Sequence, residues 1–331
     1  MIISPNTNNG DLLSIRMSNA VFLAGPCPRE DYEDDWRKDA IRILQEIGYK
    51  GDILNPTNPN YDGDLVKQTN WEHTALSIAS RILFWIPRDK KHPALTTNIE
   101  FGEWMSAPNV FVGFPEGSEH NRYIALRVNQ LGGRVYNTLE SLCQSVCYIE
   151  GKPKTVFTSD THFSAQRTLE LSCRPFRNTD EMDLTMISNW NKIVSPNDTV
   201  VHLGDIGNVD ILKVLNFKKM YFVPGNYEKK DHSIIDKLRK DQRIVICEGR
   251  KKITLNGKTY YFCHEPLNGG GEDKFYLYGH IHRLQMIKRN GINVGQDANR
   301  FKPVTVSEIE WMRNGMEKHY DENVLDRKSV V

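Results

Sequence analysis

Five short segments in the C-terminal half carry residues that bind hard or borderline metal ions. They are Asp160-Thr161-His162, Gly204-Asp205, Gly225-Asn226, His264 and Gly279-His280-Ile281-His282. Together they offer two carboxylates, one amide oxygen and four imidazoles. That donor set is complete for two metal ions sharing one bridging carboxylate. Paired ions can activate water and clamp a phosphoryl group during in-line displacement. The mixture of nitrogen and oxygen ligands suits two divalent ions of the Mn²⁺, Fe²⁺/Fe³⁺ or Zn²⁺ type. A single histidine after a strand is ordinarily a satisfied polar residue. Five such segments in order, each at a strand end, argue for a shared purpose.

The elements that must position these residues are legible as short β-branched and aromatic runs. Residues 155–159, 199–203, 219–224, 259–263 and 275–278 each read as a buried strand leading into one ligand segment. Glycine beside several of them lets the backbone turn sharply. Loops at strand ends are where sites collect.

The N-terminal half alternates strand and helix. Strands are expected at 20–24, 52–54, 81–86, 109–113 and 134–136. Helices are expected at 36–47, 71–79, 98–105, 123–131 and 139–146. Such alternation implies an α/β domain with a parallel sheet and helices on both faces. Glycine and proline near residues 151–153 mark a break, giving domains at 1–150 and 151–331. The charged tail beyond Gly315 reads as loosely packed. Glu100 falls in the first turn of the helix expected at 98–105, where the helix dipole favours an ionised carboxylate. That suits a nucleophile attacking an anomeric carbon. Glutamate is also common there for capping reasons alone.

Composition frames both halves. The chain has 331 residues and a formal net charge of +1. Nothing global therefore argues for long nucleic acid or an anionic membrane as partner. No apolar stretch approaches the roughly 20 residues needed to span a bilayer. The start of the chain is polar and lacks a signal-peptide core. Six cysteines are scattered without a Cys-x-x-Cys pair. These features suggest a soluble, reduced protein in the cytoplasm of a bacterium or phage-infected host.

Residues 154–312 resemble the calcineurin-like metallophosphoesterase superfamily, especially its small prokaryotic and phage members. The resemblance rests on Ser159-Asp160-Thr161-His162-Phe163, Arg174-Pro175-Phe176, Asn189-Trp190-Asn191, His202-Leu203-Gly204-Asp205 and Gly279-His280-Ile281-His282, and continues through Ile292-Asn293-Val294-Gly295. It implies an α/β/β/α sandwich. It also implies that Asp160, His162 and His282 hold one metal, that Asn226, His264 and His280 hold the other, and that Asp205 bridges. One departure stands out. The family follows the asparagine with His and Asp, where this chain has Tyr227 and Glu228. Tyr227 is a poor imidazolium mimic, because its reference pKa is about 10. Substrates with easy leaving groups, a stand-in such as His232 or Lys229, or weak catalysis would each follow.

Residues 20–142 resemble the nucleoside 2-deoxyribosyltransferase-like family. The matching pieces are Val21-Phe22-Leu23-Ala24-Gly25-Pro26, Trp36-Arg37, Trp71-Glu72, Phe84-Trp85-Ile86-Pro87-Arg88-Asp89 and Thr97-Asn98-Ile99-Glu100-Phe101-Gly102. A flavodoxin/Rossmann-like sheet is implied, with Glu100 as nucleophile and no cofactor. Asp89 and Glu72 would bind or protonate the base, and Gly25 and Pro26 would shape the loop under the sugar. Arg88 and Arg122 would meet a 5′-phosphate, with Asn98 also contacting substrate. Arg81 stands where the family often has Asp, which bears on base preference. The expected whole is a bifunctional enzyme acting on small nucleosides or nucleotides, self-associating into a homo-oligomer. One half would cleave or exchange an N-glycosidic bond, and the other would hydrolyse a phosphoester. A nucleotide-sensing regulatory protein and a phosphodiesterase or nuclease are the alternatives.

Overall fold

The computed structural model describes residues 1–5, 12, 19–27, 35–58, 61–90, 93–147, 152–249, 251–266, 274–284, 286–288 and 290–319. The chain divides into two compact units. The first comprises Met1–Gly151 with residues 191–196 and 212–216, and the second the remainder.

The first unit is built on six parallel strands: β1 (Ile2–Ile3), β2 (Val21–Ala24), β3 (Ile53–Leu54), β4 (Arg81–Trp85), β5 (Val110–Gly113) and β6 (Val135–Tyr136). Their order is β1-β3-β2-β4-β5-β6. All four residues of β2 are buried, as is the run Ile82–Trp85 of β4. Continuous burial of this kind follows when both faces of a parallel sheet are covered. The helices are α1 (Trp36–Glu46), α2 (Leu65–Ile78), α3 (Leu95–Trp104), α4 (Arg122–Gln130) and α5 (Leu139–Ser145). The chain leaves β2 on one side for β3 and returns on the other for β4. That reversal opens a crevice at the carboxyl ends of β2 and β4.

Three sequence expectations change here. Strand β1 lies in the polar start of the chain, where no strand was expected, and pairs with β3. Helix α2 starts at Leu65, ahead of residue 71, because the Asp64 carboxylate caps it by accepting from Lys67 N at 2.9 Å. Helix α3 starts at Leu95, ahead of residue 98, behind Ala94 in left-handed backbone at φ 50°. Glu100 therefore occupies the second turn of α3, beyond the reach assigned to the helix dipole.

The second unit is a two-sheet sandwich. One sheet orders β10 (Ile244–Ile246), β9 (Lys219–Phe222), β8 (Thr199–His202), β7 (Thr155–Thr158) and β16 (Val304–Thr305), with β16 antiparallel to β7. The other orders β11 (Lys251–Leu255), β12 (Lys258–Phe262), β13 (Tyr276–Tyr278), β15 (Gly291–Asn293) and β14 (Ile287–Lys288). Phe157 and Val201 from the first sheet meet Tyr260, Leu277 and Ile292 from the second in one core cluster. Helices α6 (Gln166–Leu171), α7 (Thr179–Asn191), α8 (Asn226–Lys230), α9 (His232–Leu238) and α10 (Val306–His319) complete it. Met312 and Met316 of α10 are buried in that core cluster. The loose tail expected beyond Gly315 is thus corrected as far as His319, where α10 ends, and its remainder, 320–331, lies outside the described residues. Among the described residues, no helix is long and apolar enough to cross a membrane.

Candidate functional site

Strands β7, β8 and β9 run parallel, as do β12 and β13, so their ligand segments emerge together. Asp160 N–H donates to Gly204 O at 3.0 Å, and Gly279 N–H to His264 O at 2.9 Å. Five of the seven candidate ligands adopt left-handed backbone: Asp160 (φ 55°), His162 (48°), Asp205 (56°), His280 (71°) and His282 (51°). Non-glycine residues rarely tolerate this region, and clusters of them mark functional sites. Close approach also requires two glycines. A side chain at Gly279 would collide with Asp160 Oδ2, and one at Gly225 with Asp205 Oδ1.

The geometry yields two adjacent clusters. Asp160, His162 and His282 form one, and Asp205, His264 and His280 the other, with ligand atoms in each within 4.8 Å of one another. Asp205 Oδ2 faces both, 3.7 Å from His162 Nε2 and 3.3 Å from His264 Nε2. Its other oxygen accepts the Tyr227 N–H at 2.9 Å. Asn226 joins the second cluster, its amide 3.1 Å from His280 Nδ1.

Three buried atoms here have no hydrogen-bond partner: Asp160 Oδ1, His162 Nε2 and His264 Nε2. Leaving such an atom unsatisfied costs roughly 1–3 kcal/mol, and an ion is one of the ways to satisfy it. All three belong to the candidate ligand set, so the residues fit a pair of divalent cations. Burial lowers the pKa of His162 to about 3, leaving a neutral ring with its lone pair available. Burial pushes Asp205 up, but His264, the Tyr227 N–H and His162 outweigh it and bring the carboxyl to about 2. Asp160 is raised by burial, against the pull of His264 and His282.

Supporting residues fix the ligands. Glu228, 1% exposed, accepts from Asp205 N (2.9 Å), Ile206 N (2.9 Å) and Gly225 N (2.8 Å), tying two ligand loops to α8. The guanidinium of Arg174 donates to the carbonyls of Asp160 (2.7 Å) and Thr161 (2.8 Å) and to both Asp297 oxygens. Asp297 Oδ2 in turn lies 2.8 Å from His282 Nδ1, and Leu203 O lies 2.6 Å from His264 Nδ1. Each contact directs the opposite ring nitrogen toward the cluster. Sequence reading passed over Glu228, Arg174 and Asp297 as site residues, although the first two lie inside quoted motifs. An Asp297→Asn substitution is expected to weaken metal binding at the Asp160 cluster about 10- to 100-fold. Calorimetric titration with Mn²⁺ would read this as loss of one binding phase while the other persists.

Tyr227 is 38% exposed, and its ring packs edge-on to His162 with centroids 4.9 Å apart. Lys229 and His232 line a neighbouring cavity of about 410 Å³, together with Val223, Pro224, Ile235 and His264. Both proposed stand-ins therefore share that cavity with the ligand His264.

In the first unit, Arg37 organises the loop after β2. It is 1% exposed and donates to the carbonyls of Leu23 (3.1 Å), Gly25 (2.6 Å) and Pro26 (3.1 Å), and to Asp35 (3.3 Å). Trp36 Nε1 also donates to Pro26 O at 3.1 Å. Gly25 is required by close packing, since a side chain there would meet Trp85 O and the Trp36 ring. Glu72 on α2 acts electrostatically on Glu100 of α3. Burial, then repulsion from Glu72, raises Glu100 to about 8, with Arg37 opposing. Burial also raises Glu72, against the Gln68 hydrogen bond and Arg37. The ionised Glu100 expected from the helix dipole is thus corrected: its surroundings favour the protonated form at neutral pH.

The other nominated residues divide. Arg88 is 8% exposed and directs its guanidinium onto the Asn98 side-chain oxygen, bringing two of the nominated residues together. Arg122 is exposed in the first turn of α4, and Asp89 is exposed beyond β4. Arg81 opens β4, at the opposite end of the strand from the crevice, and lies over the Tyr49 ring. It therefore does not face a bound base.

Comparison with known proteins agrees with the division of the chain. Residues 18–118 match the family described as nucleoside 2-deoxyribosyltransferase like, and residues 154–303 match the calcineurin-like phosphoesterase superfamily domain. Uncharacterized protein MJ1445 of Methanocaldococcus jannaschii is 29% identical over 176 residues, spanning 47% of this chain and 89% of its own. A crystal structure of the protein of unknown function AQ665 from Aquifex aeolicus aligns with 49% of this chain and 100% of that one. It does so at TM-score 0.39 and 22% identity. The chain therefore carries a nucleoside 2-deoxyribosyltransferase-like domain followed by a calcineurin-like metallophosphoesterase domain.

Proposed function

We propose that the protein is a bifunctional nucleotide-metabolising enzyme. Its second unit hydrolyses a phosphoester, and its first unit breaks or exchanges an N-glycosidic bond. The observation that carries the phosphoesterase half is the coincidence of buried, unsatisfied donor atoms with the two facing ligand clusters. Asp160, His162 and His282 would hold one divalent ion, and Asn226, His264 and His280 the other, with Asp205 between them. Such a pair supplies charge that stabilises a phosphoryl oxygen and makes water a better nucleophile at neutral pH. Glu228 and Arg174 hold the ligand loops in register, and Asp297 orients His282.

In the first unit, the Glu72–Glu100 pair supports two carboxyl roles held apart by environment. Glu100, once ionised, forms a bond to the anomeric carbon as the bond to the base breaks. The base leaves with that electron pair and takes a proton from Glu72 or Asp89. Water or a second base then displaces Glu100 from the sugar. Full-length protein incubated with Mn²⁺ and a panel of 2′-deoxynucleoside monophosphates should release both free base and inorganic phosphate. Silence in both channels across the panel would defeat the proposal. Tyr227 in place of the family's histidine favours a second reading, a nucleotide-binding regulator. Tight nucleotide binding by metal-replete protein without turnover would support it.

A further inference from the structure

We infer that Arg167 grips the non-bridging oxygens of a terminal phosphate at the metal centre, with Tyr227 as the post that aims it. The inference rests on the phosphoesterase reading above and extends it from metal to substrate. Arg167 lies on α6, five residues beyond His162 in the chain. Its guanidinium is exposed and has no carboxylate partner among the described residues. Its hydrogen bond is Nη1 to Tyr227 Oη at 3.5 Å. Two other exposed cations of this unit are paired with carboxylates: Arg177 with Glu181 at 3.0 Å and Lys229 with Glu265 at 3.8 Å.

Tyr227 is itself anchored to both clusters. Its N–H reaches Asp205 Oδ1 at 2.9 Å, and its ring stands edge-on to His162 at 77°. The phenol and the guanidinium therefore sit together beside ligands of both candidate ions. A phenol hydroxyl can donate a hydrogen bond but brings no positive charge. Arg167 supplies that charge, permanently, as a planar fork of N–H donors matched to phosphate geometry. A monoester presents three terminal oxygens, enough for two cations and the fork at once. A diester presents two. The arrangement thus selects phosphate monoesters, which for a nucleotide means its terminal phosphate.

The test is calorimetric titration of inorganic phosphate into manganese-loaded full-length protein, with metal content checked by elemental analysis. Arg167→Gln should weaken phosphate binding about 10- to 100-fold at unchanged metal content, in line with loss of a charge-assisted contact. Arg167→Lys should recover only part of it, because the fork is lost. Tyr227→Phe should fall between wild type and Arg167→Gln. For a deoxynucleoside monophosphate, Arg167→Gln should raise KM by more than it lowers kcat. Phosphate bound equally by wild type and Arg167→Gln, or not bound by wild type, overturns the clamp. Hydrolysis of monoesters with equal phosphate affinity in both proteins removes the clamp and leaves the phosphoesterase. Phosphate binding that depends on Arg167, without release from any ester, keeps the clamp and removes hydrolysis.

Discussion

Substituting Asp205→Asn is expected to reduce phosphate release by roughly 10³-fold or more, the scale set by removing a principal electrostatic element of a site. The reason lies in one atom. Asp205 Oδ2 is the oxygen that stands 3.3 Å from His264 Nε2 and 3.7 Å from His162 Nε2, so it belongs to both clusters. Its carboxyl is held at about 2, because attraction to His264, the Tyr227 N–H and His162 overcome burial. It is therefore fully charged across the working pH range. Asparagine keeps the volume and the acceptor for Tyr227 N–H but loses the charge. Metal stoichiometry should fall together with phosphate release, while base release from the first unit should persist. Retained phosphate release at wild-type rate would show that the bridging role is misplaced.

The second large effect concerns Glu100. Replacing it with Gln should abolish base release, by about 10³-fold or more if it is the covalent nucleophile, and leave phosphate release intact. Its pH behaviour carries a distinct sign. A nucleophilic carboxylate must be ionised, and burial with repulsion from Glu72 raises Glu100 to about 8. Base release should therefore fall at high pH as the proton donor Glu72 or Asp89 ionises, and at lower pH rise with pH along a limb set by ionisation of Glu100. Glu72→Gln removes the repulsion and should shift that limb to lower pH. The same raised carboxyl makes the native first unit take up protons that the unfolded chain releases. Its contribution to stability therefore declines as pH rises from the ordinary carboxylate range toward 8, and is restored on acidification. A pH–rate profile for base release, measured on wild type and Glu72→Gln, separates these expectations from a purely structural Glu100.

Much of the metal centre was legible because its signals are local. A β-branched run, a turn and a ligand sit within a few residues, as in 155–160 and 199–205. The residues that hold the ligands were not, because their pairings are remote. Arg174 and Asp297 are 123 positions apart, and neither neighbourhood announces the other. Glu228 read as a departure from a family pattern, but its carboxylate, one methylene further out than aspartate's, accepts from three backbone N–H groups across two loops. In the first unit, apolar periodicity located the helices but not their starts. Leu65, Val66 and Leu95 are exposed and break the buried pattern, so α2 and α3 begin where a cap or a left-handed residue sets them. That error of three residues at α3 moved Glu100 out of the dipole's reach, and burial with repulsion from Glu72, neither visible in the local sequence, reversed the expected charge state.

The left-handed residues around the metal ligands have a consequence for portability. Asp160, His162, Asp205, His280 and His282 hold backbone angles that a free chain avoids. Their shapes are imposed by the sandwich, not encoded in the short segments that carry them. A synthetic peptide cut from residues 159–163 or 279–282 would relax to ordinary backbone and lose its chelating form. Grafting the motif into another scaffold would thus require transplanting the surrounding sheet edges as well.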